Sequence, residues 1–219
     1  MSQQDDFLKD EPLSEGEWFY RPESWFEPFD WRRVFATMRG GRDLPDPLDI
    51  HVDLGAGDGG FLRDRAKRLP DTCFLGVERL LGRARKIARR SWRADLRNVR
   101  VARIEVSYAV KWLFPPASVS SITILFPDPW PKRRHHGNRL IQPGFMEDCR
   151  RCLRPDGWLA IKTDDEPYFD HVRRVLEVCQ GFKPWDVDVA ELLPEKTDFE
   201  RDFEKEGRSF YFAALKAAV

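Results

Sequence analysis

Cysteine is scarce, with four in 219 residues. That is too few for a disulfide framework in a chain of this length. Cys149 and Cys152 form a lone C-x-x-C with no second pair, so a metal or redox role lacks its other half. With Phe145 and Leu153 they fall at the helical spacing of a buried stripe, and a core role is the better reading. Histidine is equally sparse, four in all, and His135-His136 has no partner cluster with ligand spacing, so no metal is expected. Net charge is absent too: thirty-seven Lys and Arg balance thirty-seven Asp and Glu, which excludes a uniformly basic coat for nucleic acid. No apolar run approaches the roughly 20 residues that span a bilayer, so no membrane partner is expected. Met1 to Asp10 is polar and acidic, without the basic and then apolar order of a secretory signal. A cytoplasmic, reduced setting is the expectation.

At 42% hydrophobic and 34% charged, the chain can bury a substantial core. Its length fits one large domain with an extension, here residues 46–219 preceded by an acidic, aromatic-rich segment, 1–45. The balanced charge is strongly segregated. Residues 1–30 carry a net of −7, residues 63–103 a net of +10, and residues 164–206 a net of −8. Such segregation predicts a directional field. Trp18, Phe19, Tyr20, Trp25, Phe26 and Phe29 lie in the first acidic stretch, which would repel phosphate, so they are expected to pack on the core.

From Leu48 onward short apolar runs alternate with helical patterns. Ile50–Leu54, Cys73–Val77, Val99–Ile104, Ser120–Phe126 and Trp158–Lys162 read as strands, and Trp185–Val189 and Ser209–Leu215 as two more. Helices are expected after the first two strands and near Ser107, Pro143 and Pro167. This alternation predicts an α/β fold with a mostly parallel sheet covered on both faces.

Asp53-Leu54-Gly55-Ala56-Gly57-Asp58-Gly59-Gly60 follows the first strand and opens a helix at Phe61. Glycines allow a tight turn and bring backbone N–H groups to a ligand at the helix N-terminus. Gly55, Gly57 and Gly60 satisfy G-x-G-x-x-G, and Glu78 ends the second strand where a ribose-binding acid belongs, so a nicotinamide cofactor is one option. Two details favour S-adenosylmethionine. Asp53 stands two residues before the first glycine, suited to a cationic amino group, and Glu105 ends the third strand, suited to an adenine amino group. Acids ending successive strands after D/E-x-G-x-G resemble class I methyltransferases.

The fourth strand runs into Phe126-Pro127-Asp128-Pro129-Trp130-Pro131-Lys132-Arg133-Arg134-His135-His136. The prolines stiffen the turn that presents Asp128. Trp130 offers a face for a base, and the basic run offers contacts for phosphate. With the glycine loop, Phe74–Glu78, Arg139-Leu140, Pro143 with Phe145, Thr163-Asp164, Tyr168, Thr197-Asp198-Phe199-Glu200 and Gly207–Tyr211, this run makes the chain similar to the tRNA (guanine-N7)-methyltransferase family from about Asp49 to Tyr211.

The resemblance implies a Rossmann-like class I methyltransferase fold with a mostly parallel seven-stranded sheet and helices on both faces. It implies methyl transfer from S-adenosylmethionine to N7 of a guanosine in the tRNA variable loop. By position, it implies cofactor roles for Asp53, Gly55, Gly57, Glu78, Glu105 and Asp128. It implies tRNA or guanine contacts for Lys132, Asp164 and the stretch Thr197, Asp198, Phe199 and Glu200. The chain departs from the family's usual Asp-Ala at Glu105-Val106 and from its usual paired basic residues at Asn138-Arg139.

Guanine N7 attacks without losing a proton, so no general base is required. A fixed carboxylate near the base would stabilise the positive charge that develops on the purine. Asp128 is the first choice for that catalytic role and Asp164 the second. A helix N-cap is the competing role for Asp164 or Asp165 ahead of Glu166-Pro167. Thr197 and Glu200 also fit a capping box. Arg79, Arg83, Lys86, Arg90, Arg93 and Arg97 recur as one basic stripe beside Leu80, Ala84, Ile87 and Ala94, either a solvated face or a track for tRNA. The competing functions are a nicotinamide-dependent oxidoreductase and a catalytically idle RNA-binding module on the same fold.

Overall fold

The computed structural model describes residues 15–38 and 44–218. Residues 1–14 and 39–43 of the expected N-terminal extension lie outside them. The elements run α1 (Glu15–Trp18), β1 (Phe19–Tyr20), α2 (Trp31–Val34), β2 (Ile50–Leu54), α3 (Gly60–Arg68), β3 (Cys73–Val77), α4 (Leu81–Arg93), β4 (Val99–Ala102) and α5 (Val106–Tyr108). They continue β5 (Val119–Leu125), α6 (Pro143–Cys152), β6 (Leu153–Thr163), α7 (Glu166–Val178), β7 (Phe182–Pro184), α8 (Val189–Leu192), α9 (Asp198–Lys205) and β8 (Tyr211–Ala217).

β2, β3 and β5 are buried along their whole lengths, as a parallel sheet covered on both faces requires. Successive side chains go to opposite faces. Ile50, Val52, Leu54, Cys73, Leu75 and Val77 share one core with Phe35 and with Met146, Cys149, Tyr168 and Val172 of α6 and α7. Phe74, Val99 and Val101 share another with Leu62, Ala84 and Ile87 of α3 and α4. Cys149 and Cys152 are both fully buried on α6. Burial pushes both thiols up, Cys152 to about 12, so neither is a nucleophile or a ready metal ligand.

The strand order is β1-β4-β3-β2-β5-β6-β8-β7, eight strands among the described residues and not the expected seven. The extra strand is β1, where Phe19 and Tyr20 pair with Val101 and Ala102 of β4. It is held at that edge because the fully buried Trp18 indole donates to Leu96 O at 2.7 Å. The N-terminal aromatics divide: Trp18 and Phe29 are core, whereas Trp25 and Phe26 are exposed. Strand β6 begins at Leu153, earlier than expected, because the ladder with β5 shifts register between Val119 and Ser121 and absorbs Arg154–Gly157. The expected strand Trp185–Val189 is replaced by Phe182–Pro184. Asp188 ends any extension there, since its carboxylate accepts from Ala190 N and Glu191 N and caps α8.

Parallel order reverses between β2 and β5, each continuing to a different side. At such a switch point the loops leaving the carboxyl ends part and leave a crevice, the usual ligand position in open α/β sheets.

Candidate active site

Asp53, Glu78, Glu105 and Asp128 stand at or just beyond the carboxyl ends of β2, β3, β4 and β5, so the topology gathers all four on one edge. Their environments differ sharply. Asp53 is 3% exposed and accepts from Thr123 Oγ1 at 2.8 Å. Burial raises its carboxyl to about 7, against the lowering effects of Thr123 and Arg65. Glu78 bridges two loops, one oxygen accepting from Gly57 N at 3.1 Å and the other from Leu80 N at 2.8 Å. Glu105 is exposed and caps α5 by accepting from Tyr108 N at 2.8 Å. Asp128 is exposed and has no hydrogen bond or ion pair among the described residues.

The glycine loop is shaped largely by its own amides. Gly55 N and Ala56 N donate to Val77 O, and Gly57 N to Glu78, so these amides brace the loop instead of facing a ligand as expected. Gly59 is left-handed, φ 73°, and a Cβ there would lie 2.7 Å from Ile87 Cγ1. Ile87 is buried and stiff at χ1, so it cannot yield. Gly59→Ala is therefore expected to lose roughly 1–3 kcal/mol of stability, measured by urea denaturation.

Between the loop and α9 lies a cavity of about 230 Å³, lined by Asp53, the glycines, Leu125 and Arg83 on one side and Thr197, Asp198, Phe199 and Asp202 on the other. The 197–200 stretch thus meets the glycine loop directly. Its capping box is present: Glu200 N donates to Thr197 Oγ1 and Thr197 N to Glu200 Oε2. Glu200 is 3% exposed and its second oxygen accepts from Lys162 Nζ at 2.7 Å, a buried ion pair on strand β6. Both oxygens are therefore engaged inside the protein. Phe199, half exposed, remains for contact with a ligand, and Asp198 beside it also lines the cavity while one of its oxygens accepts from Arg201 at 2.9 Å. Phe126, Phe199, Phe203 and Phe210 form an aromatic cluster that ties the end of β5 to α9.

The loop after β5 is strained on both sides of Asp128, with Phe126 at φ 53° and Trp130 at φ 46°. Arg139 holds it there. This residue is 3% exposed, donates from Nε to Pro129 O at 2.9 Å, and lies 5.1 Å from the centre of the Tyr168 ring. Sequence reasoning misses that buttress, because a lone arginine after a basic run reads as another surface charge. Trp130 turns edge-on to His135, and Lys132 is exposed beside it. Of the two acids at the end of β6, Asp165 is the N-cap, accepting from Tyr168 N, while Asp164 pairs with Arg208.

On α4 the apolar face is Ala84, Ile87 and Ala88, whereas the expected Leu80 is 46% exposed and Ala94 is exposed too. Lys86 of the expected stripe pairs with Asp58 of the glycine loop. Arg79, Arg83, Arg90, Arg93 and Arg97 stay exposed. No helix among the described residues is long and apolar enough to cross a membrane, and among them no group of three His, Cys, Asp or Glu is placed to hold a metal ion.

The model of a protein family described as "Putative methyltransferase" matches residues 48–213. A tRNA (guanine-N7)-methyltransferase of Thermotoga maritima is 32% identical over 86% of this chain and 58% of its own. One of Leifsonia xyli subsp. xyli is 36% identical over 73% of this chain and 72% of its own. The chain therefore spans between about half and three quarters of the length of these relatives. The crystal structure of the 16S rRNA methyltransferase KamB shares the fold, with a TM-score of 0.60 at 18% identity over 88% of this chain and 94% of that one. The family model covers the stretch that holds the four edge acids, the glycine loop and the Pro-Asp-Pro-Trp turn, and with relatives more than 30% identical, one of them covered over 72% of its own length, the chain belongs to the tRNA (guanine-N7)-methyltransferase family.

Proposed function

We propose that the chain transfers a methyl group from S-adenosylmethionine to N7 of a guanosine in the tRNA variable loop. One observation carries the reading: Asp53 and the glycine loop line one cavity, and Asp128 stands free three residues beyond Leu125 of the same cavity. The names carried by the relatives support it, and no observation favours a nicotinamide.

The residues present fit the cofactor. Asp53 is a buried carboxyl with no ion-pair partner among the described residues, which a cationic amino group would complete. Glu78 and Glu105 retain unused acceptor capacity at the next two strand ends, for ribose and adenine hydroxyl or amino groups. When bound, S-adenosylmethionine supplies an electrophilic methyl group on sulfur.

The rest falls to the chain. Because N7 carries its own lone pair, the residues need only orient the base and stabilise charge, and good orientation contributes roughly 7–11 kcal/mol. Asp128 faces the developing positive charge. Asp164 accepts from the N1–H and N2–H₂ edge, which adenine cannot match. Lys132 contacts phosphate. Asp198 and Phe199 reach the ligand directly, while Thr197 and Glu200 fix the helix that carries them. A cytoplasmic setting agrees with a cysteine content too low for a disulfide framework, four in 219 residues.

The test is an unmodified tRNA transcript incubated with protein and S-adenosylmethionine, then digested for mass spectrometry. Appearance of 7-methylguanosine, lost when the variable-loop guanosine is replaced, is the expected result. No product despite cofactor binding would move the substrate elsewhere. Affinity for tRNA should also fall with salt, by a log–log slope of roughly 0.7–0.9 per phosphate neutralised. Lys132→Ala should reduce that slope by about one phosphate in a filter-binding titration.

A further inference from the structure

The site as described leaves one group unused beneath Asp53. His51 sits two residues earlier on β2, 1% exposed, with its ring centre 5.1 Å from Phe74, 5.7 Å from Trp158 and 6.3 Å from Phe61. The β2–β5 ladder sets His51 opposite Ser121 and Asp53 opposite Thr123, so the four side chains share one face of the sheet. All four are buried. A polar row inside an apolar sheet is costly unless each member is paired, and here each is.

The pairs run in one direction. Ionised Asp53 can only accept, so Thr123 Oγ1 donates its single proton to Asp53 Oδ1 at 2.8 Å. The threonine oxygen must then accept from His51 Nε2 at 3.1 Å, which places the ring proton on Nε2. Nδ1 is left to accept from Ser121 Oγ at 2.7 Å. Burial and the nearby Arg65 hold the ring well below its ordinary pKa, in keeping with a neutral relay.

The geometry points to Ser121, His51 and Thr123 as a chain of positioning residues that aims the Asp53 carboxylate at the cofactor's amino group. The inference rests on the cofactor reading above. It goes beyond that reading by assigning the orientation of Asp53 to a buried histidine on its own strand. Successive bonds in such a chain polarise one another, so the last donor, Thr123, is strengthened by those behind it. Other charged groups around the carboxylate are Arg65 from α3, Glu78 at the end of β3, and Asp58, Arg83, Asp198 and Asp202 around the cavity. None of them donates a hydrogen bond to it.

Calorimetric titration of the full chain with two ligands tests this. S-adenosylmethionine carries the amino group; 5′-methylthioadenosine lacks the amino-acid portion. Thr123→Val should weaken S-adenosylmethionine about 10- to 100-fold, as loss of one charge-assisted hydrogen bond does, and leave methylthioadenosine unchanged. Thr123→Ser should restore binding. In wild type, affinity for S-adenosylmethionine should rise with pH and level off above about 7, where Asp53 is ionised. In Thr123→Val the plateau should move to higher pH, because a donor that lowers the carboxyl pKa is gone.

Equal loss for both ligands, or no loss for either, would overturn the inference. Without any variant, ¹⁵N NMR of the ligand-free protein at a pH well above 7, where Asp53 is ionised, should show His51 neutral with its proton on Nε2, and a proton on Nδ1 there would overturn it as well. Asp53→Asn separates the two levels. If it leaves S-adenosylmethionine binding intact, the cofactor reading of Asp53 fails and the relay with it. If it weakens binding while Thr123→Val does not, only the relay fails.

Discussion

Asp128→Ala is expected to lower turnover roughly 100- to 1,000-fold, the usual effect of removing one preorganised charge-stabilising group, with little change in affinity for tRNA. The reason lies in contrast among the acids. Glu78 holds two amides, Glu105 caps a helix, Asp164 pairs with Arg208 and Glu200 with Lys162. Asp128 alone of these has its carboxylate uncommitted, on a loop whose flanking residues sit in left-handed conformations. Strain of that kind persists only where surrounding structure enforces it, and Arg139 supplies the enforcement. Single-turnover kinetics beside filter binding would separate the two quantities. Near-normal turnover would remove Asp128 from the catalytic role, and a parallel loss of affinity would make it a docking residue instead.

The second large effect concerns stability. Lys162→Met should cost about 3–5 kcal/mol, because it leaves Glu200 buried without its cation. The loss should reach function as well, since Glu200 closes the capping box that starts α9, and α9 forms one wall of the cavity. Lys162→Met combined with Glu200→Leu should be more stable than Lys162→Met alone, since no isolated charge then remains. Urea denaturation of both single variants and the double would show it. A double variant no more stable than Lys162→Met would mean the pair is not coupled as its 2.7 Å contact implies.

Much of this molecule was legible one strand at a time. Ile50–Leu54 and Cys73–Val77 are strands at their expected bounds, because short runs apolar on both faces have few other stable homes. The edge acids were legible because each lies within such a run or one or two residues beyond its end. The C-terminal strands were less so: Asp188 caps a helix within the expected strand, and that choice depends on side-chain bonding that apolar periodicity does not reveal.

By itself, then, the sequence determined the α/β class, the glycine loop, the acids that end β2 to β4, and the Pro-Asp-Pro-Trp turn with its basic run. All of these are local patterns, set by residues within a few positions of one another. Only the tertiary structure decided which groups are free to act. A count of charge makes 164–206 an acidic surface stretch. In the fold, Lys162 from β6 neutralises Glu200 from 38 residues away, and α9 closes on the glycine loop. Likewise Arg139 reads as one more surface cation, yet it is buried under the Pro-Asp-Pro-Trp turn. The physical reason is common to both: a charge can enter the interior only where a distant partner meets it, and the meeting of distant partners is set by packing.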